Sequence, residues 1–278
     1  MWGVFLSIGL VGRVTHIAHI LLQLRRADET VDNKNLLARP VRTQYTVFAM
    51  SPFAYVTLTM VAVWAVTLVL SERTRMEQAV MSVLGALITP TALSLVGADA
   101  RAAGTGALAA GAAEFAFAAA SFGIAAVLCH VVLHARTAAW RGPRLRIRPV
   151  SLHWVAHLAI VAGTWLFIAI AAQIVLSVAP FPAMVLSGVM VGLYALADRK
   201  DLMLDALLTG ASLAALVFLI EQTFFARMFP TAASGFWAAG NLSGILLAGV
   251  PIEEIVWAAV VGFTAGPLYE YVRHRRLS

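Results

Sequence analysis

Residues 152–179 read LHWVAHLAIVAGTWLFIAIAAQIVLSVA, 28 positions without one Lys, Arg, Asp or Glu. A helix crossing the hydrocarbon of a bilayer needs roughly 20 largely apolar residues. A helix apolar on every face over that length faces lipid or a protein interior, not water. Working outward, further apolar segments occupy 2–24, 45–70, 79–97, 107–134, 183–197, 202–226 and 251–272. The whole chain is 61% hydrophobic and 12% charged, with a mean hydropathy of +0.85, far from the balance of a soluble domain. Short connectors leave no room for a separate soluble unit. The expected fold is an all-α polytopic membrane helix bundle of seven or eight transmembrane helices, one membrane domain over 1–278.

The segment 79–97 is the weakest of these, because Ser82, Thr89, Thr91 and Ser94 dilute it and Pro90 removes a backbone hydrogen bond at its centre. Charge bears on it too. Lys and Arg in short loops favour the cytoplasmic side, and the connector bearing Arg136, Arg141, Arg144, Arg146 and Arg148, the turn 198–201 (DRKD) and the tail with Arg273, Arg275 and Arg276 all fall on the side of the C-terminus. A cytoplasmic C-terminus satisfies them. The stretch with Arg25, Arg26, Lys34, Arg39 and Arg42 joins them only if 79–97 is re-entrant, so seven spans with the N-terminus outside is the preferred topology. The net charge of +6 is then an orientation signal toward anionic membrane lipid and implies no nucleic-acid partner. Cys129 is the single cysteine, which rules out an intramolecular disulfide and a thiolate metal cage. The opening residues lack a basic leader and a small-residue cleavage site and read as a retained first helix. The Gly- and Ala-rich region 99–111 reads as a connector.

Most chemistry is concentrated in residues 236–271, FWAAGNLSGILLAGVPIEEIVWAAVVGFTAGPLYEY. Pro251 starts a helix, and Glu253 and Glu254 follow at once, ahead of an apolar run. Carboxylates in hydrocarbon cost several kcal/mol unless neutralised or paired, so intramembrane acids usually face a protein interior and carry function. The simpler reading is a helix start that welcomes negative charge through its macrodipole.

This stretch resembles the lycopene cyclase domain family, the small membrane cyclases of carotenoid synthesis. The resemblance covers about 183–271: a helix ending in the charged turn ADRKD, a second helix, an aromatic segment with Trp237, an approach bearing Gly244 and Gly249, and the signature Pro-x-Glu-Glu as Pro251, Ile252, Glu253 and Glu254. It implies acid and base chemistry on a linear polyene, an intramolecular isomerisation. An acid protonates a terminal double bond, the resulting cation closes a six-membered ring, and a base removes a proton. Glu253 and Glu254 would be that pair, in an order left open, with Trp257 one helical turn on to stabilise a cation or simply to pack. Complete cyclases of this type carry two such acidic halves. The first half of this chain, 1–180, has no Pro-x-Glu-Glu, so a homo- or hetero-oligomeric partner is one source of the second. The continuation GPLYEY, with Tyr269 and Glu270, is more polar than expected of an ordinary cyclase and points to a divergent relative with another hydrophobic isoprenoid, carotenoid or lipid substrate.

Six of the seven histidines form pairs at helical spacing: His16 with His19, His130 with His134, His153 with His157. Two pairs flank one connector, and in the seven-span topology His16, His19 and Glu270 reach the same surface, offering ligands for zinc or iron. Interfacial histidines holding phosphate or helix carbonyls are the simpler account. Glu114 starts its span, Asp205 follows the DRKD turn as a helix-start acid, and Glu221 approaches Glu253 if the last two helices pack side by side; Arg13 needs a buried acid or must reach the interface. Rival readings are a metal-dependent intramembrane enzyme using the histidine pairs, and a transporter or receptor-like bundle whose acids bind a cation or proton. The adjacent glutamates also resemble those of intramembrane CAAX-type proteases, but that signature has Arg four residues after the second Glu, where this chain has Ala258.

Overall fold

The computed structural model describes residues 51–100, 111–133, 137–139, 153–230, 242–273 and 275–277. The chain divides after Ala49; Met1–Ala49, with the first apolar segment, His16 and His19, lies outside the described residues, as do His134 and Trp237. Among the described residues seven helical segments are long and apolar enough to cross a membrane.

Helix α1, Pro52–Leu70, starts at Ser51, whose hydroxyl accepts from the Ala54 N–H at 3.3 Å, with Pro52 at a position where its missing N–H costs nothing. A short turn, Glu72–Thr74, leads into α2, Arg75–Ala100. Then come α3, Ala112–Leu133; α4, His153–Leu176; and α5, Pro180–Asp198. Helix α6, Met203–Glu221, continues without a break as a π-helical segment, Gln222–Met228. Helix α7, Ile252–Ala265, is followed across Gly266–Pro267 by the short α8, Leu268–Arg273. Two small antiparallel pairings complete the description: β1, Thr137–Ala139, with β4, Arg275–Leu277, and β2, Leu246–Leu247, with β3, Val250–Pro251.

The re-entrant reading of 79–97 is corrected. Helix α2 runs unbroken through Pro90 for 26 residues, about 39 Å at 1.5 Å per residue, enough to span. A re-entrant segment must turn back; this one brings Glu77 to one end of the bundle and Leu93 to a cavity toward the other. Close packing on a neighbouring helix accompanies the proline. A Cβ on Gly85 would stand 2.6 Å from the Ala118 carbonyl oxygen, so α2 lies tightly against α3 just before the proline. The Thr89 hydroxyl donates to the Gly85 carbonyl at 2.7 Å, so this polar side chain is satisfied within its own helix.

The helices are apolar on both sides, and burial alone divides protein from lipid. Met60, Ile124, Leu213 and Phe225 are fully enclosed, while Val69, Phe167 and Ile174 point outward, Ile174 at 76% exposure. Since lipid is as apolar as leucine, close packing and interhelical hydrogen bonds must hold such a bundle. A tight seam joins α6 and α7, where a Cβ on Gly262 would meet the Thr209 carbonyl oxygen at 2.6 Å and Gly210 Cα at 2.8 Å. Thr264 donates to the Gly188 carbonyl at 2.9 Å, tying α7 to α5, and the Trp165 indole N–H donates to Met184 O at 3.0 Å, tying α4 to α5. The DRKD turn is locked by Arg199, whose Nε and Nη2 donate to Asp201 Oδ1 and Oδ2 at 2.9 and 2.8 Å.

One helix end is strained. Ser177 terminates α4 with φ 53°, in the left-handed region where glycine is at ease, and it is exposed. Ser177→Gly is expected to raise stability by about 0.5–1 kcal/mol. An unchanged or lower thermal midpoint in detergent would refute this.

Candidate functional site

The approach to α7 is built by turn chemistry. Strands β2 and β3 are joined at Ala248 and Gly249, both with positive φ (49° and 90°), the two-residue turn whose twist matches a hairpin. Gly249 is required twice over: a Cβ there would also sit 2.8 Å from Ala226 Cβ on the π segment. Gly244, at φ 77°, turns the chain just before β2. Through these turns Ser243 N–H donates to Glu253 Oε1, and Ile252 N–H donates to Ile245 O at 3.0 Å. Pro251 occupies the N-cap with φ −58°, and Glu253 and Glu254 fill the first turn of α7.

Behind this start lies a cavity of about 150 Å³. Its walls come from both halves of the chain. Phe53 of α1, Gly85 to Leu93 of α2, and Phe117, Ser121 and Phe122 of α3 face Phe181 of α5, Glu221 of α6, and Glu253, Glu254, Trp257 and Val261 of α7. Glu114, from the first turn of α3, reaches in as well. Four glutamates therefore line an otherwise largely apolar and aromatic chamber. Glu253 is 9% exposed and Glu221 2%. Trp257 stands 5.9 Å, ring centre to ring centre, from Trp165, which in turn lies 6.3 Å from Phe122.

Glu221 and Glu253 thus share one cavity, the arrangement expected if α6 and α7 pack side by side. Glu114 was not singled out as a site residue by sequence reasoning. Its signal was an acid one turn before Phe117 on a span with no other Asp, Glu, Lys or Arg.

At the opposite end of the bundle the structure gathers a second polar set. Glu270 of α8 is completely buried, and its Oε1 lies 2.7 Å from His130 Nε2 near the end of α3; Glu77 Oε2 at the start of α2 is 3.7 Å from the same nitrogen. Of the histidines proposed from pairing, His130 therefore meets carboxylates. His153 is exposed, and the His157 ring lies 5.7 Å from that of Tyr271. Tyr269 is buried edge-on against Trp154, over whose ring Arg273 sits at 5.1 Å. Asp205 is 3% exposed, not solvated as its place after the turn implied, and accepts from the Thr209 hydroxyl at 3.1 Å.

Comparison with curated proteins and with solved structures returns no match. One family model does match, over residues 179–272, about a third of the chain and nearly the bounds of the sequence resemblance. The helices α5 and α6, the hairpin, and α7 with its paired glutamates together make up the part of this membrane chain that matches the lycopene cyclase family.

Proposed function

We propose that the chain takes a hydrophobic polyene of isoprenoid or carotenoid type from the membrane lipid into this cavity and cyclises or isomerises its end by proton transfer, with Glu253 and Glu254 as the acid and base. The observation that carries this reading is the chamber itself, an aromatic-lined apolar cavity bordered by carboxyl groups. The family match over the α5–α8 region supports it.

The chemistry balances within the substrate. A carboxylic acid gives its proton to a terminal double bond, leaving a tertiary cation; a neighbouring double bond closes on that cation; a carboxylate removes a proton to restore an alkene. No atoms are gained or lost, so the reaction is an isomerisation. Excluding water from the cation is the protein's main task, and an apolar wall with the faces of Trp257 and the phenylalanines suits it. Glu221 and Glu114 shape the charge of the chamber, and Glu114 brings to it an acid from the half of the chain that has no Pro-x-Glu-Glu.

The test is expression of the intact chain in a lycopene-accumulating bacterial host, with pigments resolved by chromatography beside a Glu253→Gln, Glu254→Gln control. A cyclic product that vanishes in the control is the expected result. Unchanged lycopene, with the chain confirmed in the membrane, would reject lycopene as the substrate. Equal product from the control would remove the two glutamates from the chemistry.

A further inference from the structure

The second polar set is far from the cavity. Along α7 and α8, Glu253 and Glu270 are 17 residues apart, and along α2, Glu77 and Leu93 are 16 apart, which places the two sites about 24 Å from one another along the bundle. Polyene chemistry at one end gives no reason for buried acids at the other.

Three helices supply the set. Glu77, His130 and Glu270 are 1%, 6% and 0% exposed, and each offers a ligand atom lying within 4.8 Å of the other two. The imidazole is central. It is more than nine-tenths buried, with Nε2 directed at both carboxylates and Nδ1 making no hydrogen bond among the described residues. Asp205 adds a further carboxylate within electrostatic range of both His130 and Glu270, on a fourth helix.

We infer that Glu77, His130 and Glu270 form a binding site for one divalent transition metal ion, of the zinc, ferrous iron or manganese class. One imidazole nitrogen and two carboxylate oxygens are the donors such ions take, at about 2.0–2.2 Å for zinc. The present separations close to that geometry with side-chain movements of about an ångström, without moving a helix. Charge points the same way. Two carboxylates beside a neutral imidazole carry minus two, which one divalent ion offsets. In an apolar bundle that offset matters, because a net buried charge is costly there. Three protein ligands, as in catalytic rather than structural zinc sites, leave a position for one small exogenous ligand. The site links the start of α2, the end of α3 and α8.

The full chain, purified without chelator and held in lipid nanodiscs, is dialysed against Zn²⁺ and its bound metal measured. One zinc per chain is expected, with affinity at least about tenfold weaker in Glu77→Gln and in Glu270→Gln. Zinc that disappears in a His153→Ala, His157→Ala variant but stays in Glu77→Gln would show surface histidine binding and overturn the assignment; so would no saturable binding. Should either glutamine variant fail to fold, the wild-type chain loaded with Mn²⁺ decides by pulsed electron paramagnetic resonance. Coupling to a single imidazole nitrogen supports the site, and its absence refutes it.

Discussion

A chain carrying Glu253→Gln is expected to keep its fold and to lose between about 10²- and 10⁴-fold in turnover. The substitution separates two roles that meet in one side chain. Oε1 of Glu253 accepts the Ser243 N–H and so pins the turn that leads into β2, while the rest of the carboxyl faces the cavity. Glutamine keeps a carbonyl oxygen for Ser243 and removes the group that gains or gives a proton. Glu253→Ala removes both, and should add a stability loss of about 0.5–1.5 kcal/mol, the net worth of the lost hydrogen bond to the exposed Ser243. Initial rates of polyene conversion in membranes, read beside thermal midpoints in detergent, give the two effects separately. Turnover within twofold of wild type in the glutamine chain would leave Glu253 a turn-capping residue and nothing more.

The largest structural effect is expected at Gly262. Adding a single methyl there, Gly262→Ala, places a carbon 2.6 Å from the Thr209 carbonyl oxygen, 2.8 Å from Gly210 Cα and 2.9 Å from the Thr209 carbonyl carbon. All three are backbone atoms, so no rotamer change relieves the overlap; α6 and α7 must part. Overpacking of this kind costs about 1–3 kcal/mol, and the upper end applies where backbone meets backbone. The same change at Gly163 on the exposed face of α4, where a Cβ meets nothing within 4 Å, should instead gain about 0.5–1 kcal/mol from helix propensity and a less flexible unfolded chain. Opposite signs from one chemical change, measured by unfolding in mixed micelles, would confirm that α6 and α7 touch through their glycines. Equal effects at the two sites would contradict it.

Helix type and membrane class were legible because apolar runs such as 152–179 admit no other solvent. The cavity acids were partly legible: Glu253 and Glu254 stand out as adjacent carboxylates in an apolar run, and Glu221 as an acid near the end of one. Position along a span says nothing of azimuth, however. Only packing shows that Glu114 faces the same chamber. The reading of 79–97 failed because proline and hydroxyl residues dilute a hydropathy average, whereas the helix is held where Gly85 packs against Ala118 and Thr89 satisfies its hydroxyl internally on Gly85. Glu77 went unnoticed for a related reason. It sits beside Glu72, Arg73 and Arg75 in a connector that reads as solvated, yet the first turn of α2 is already inside the bundle. The histidine pairs promised six imidazoles gathered with Glu270 at one surface. Of the described members His130 is buried, His157 is half-buried against Tyr271 and His153 is exposed, since a helix end shows one side to its neighbours and the other to the interface.

The π segment 222–228 gives α6 a slack that an α-helix does not have. Its wider winding, closed by Phe229 N–H onto Phe224 O at 2.8 Å, begins at the residue after Glu221 and ends beneath the hairpin that seats Gly249 on Ala226. Residues before it keep their phase against α7, and residues after it are set by a different winding. Chain length is therefore an adjustable quantity at this one place. Among descendants of such a sequence, a residue lost or gained between 222 and 228 would re-aim Ala226 beneath Gly249 while the glycine seam upstream stays in register, so the turn that leads to Glu253 could be shifted without disturbing the packing of α6 on α7.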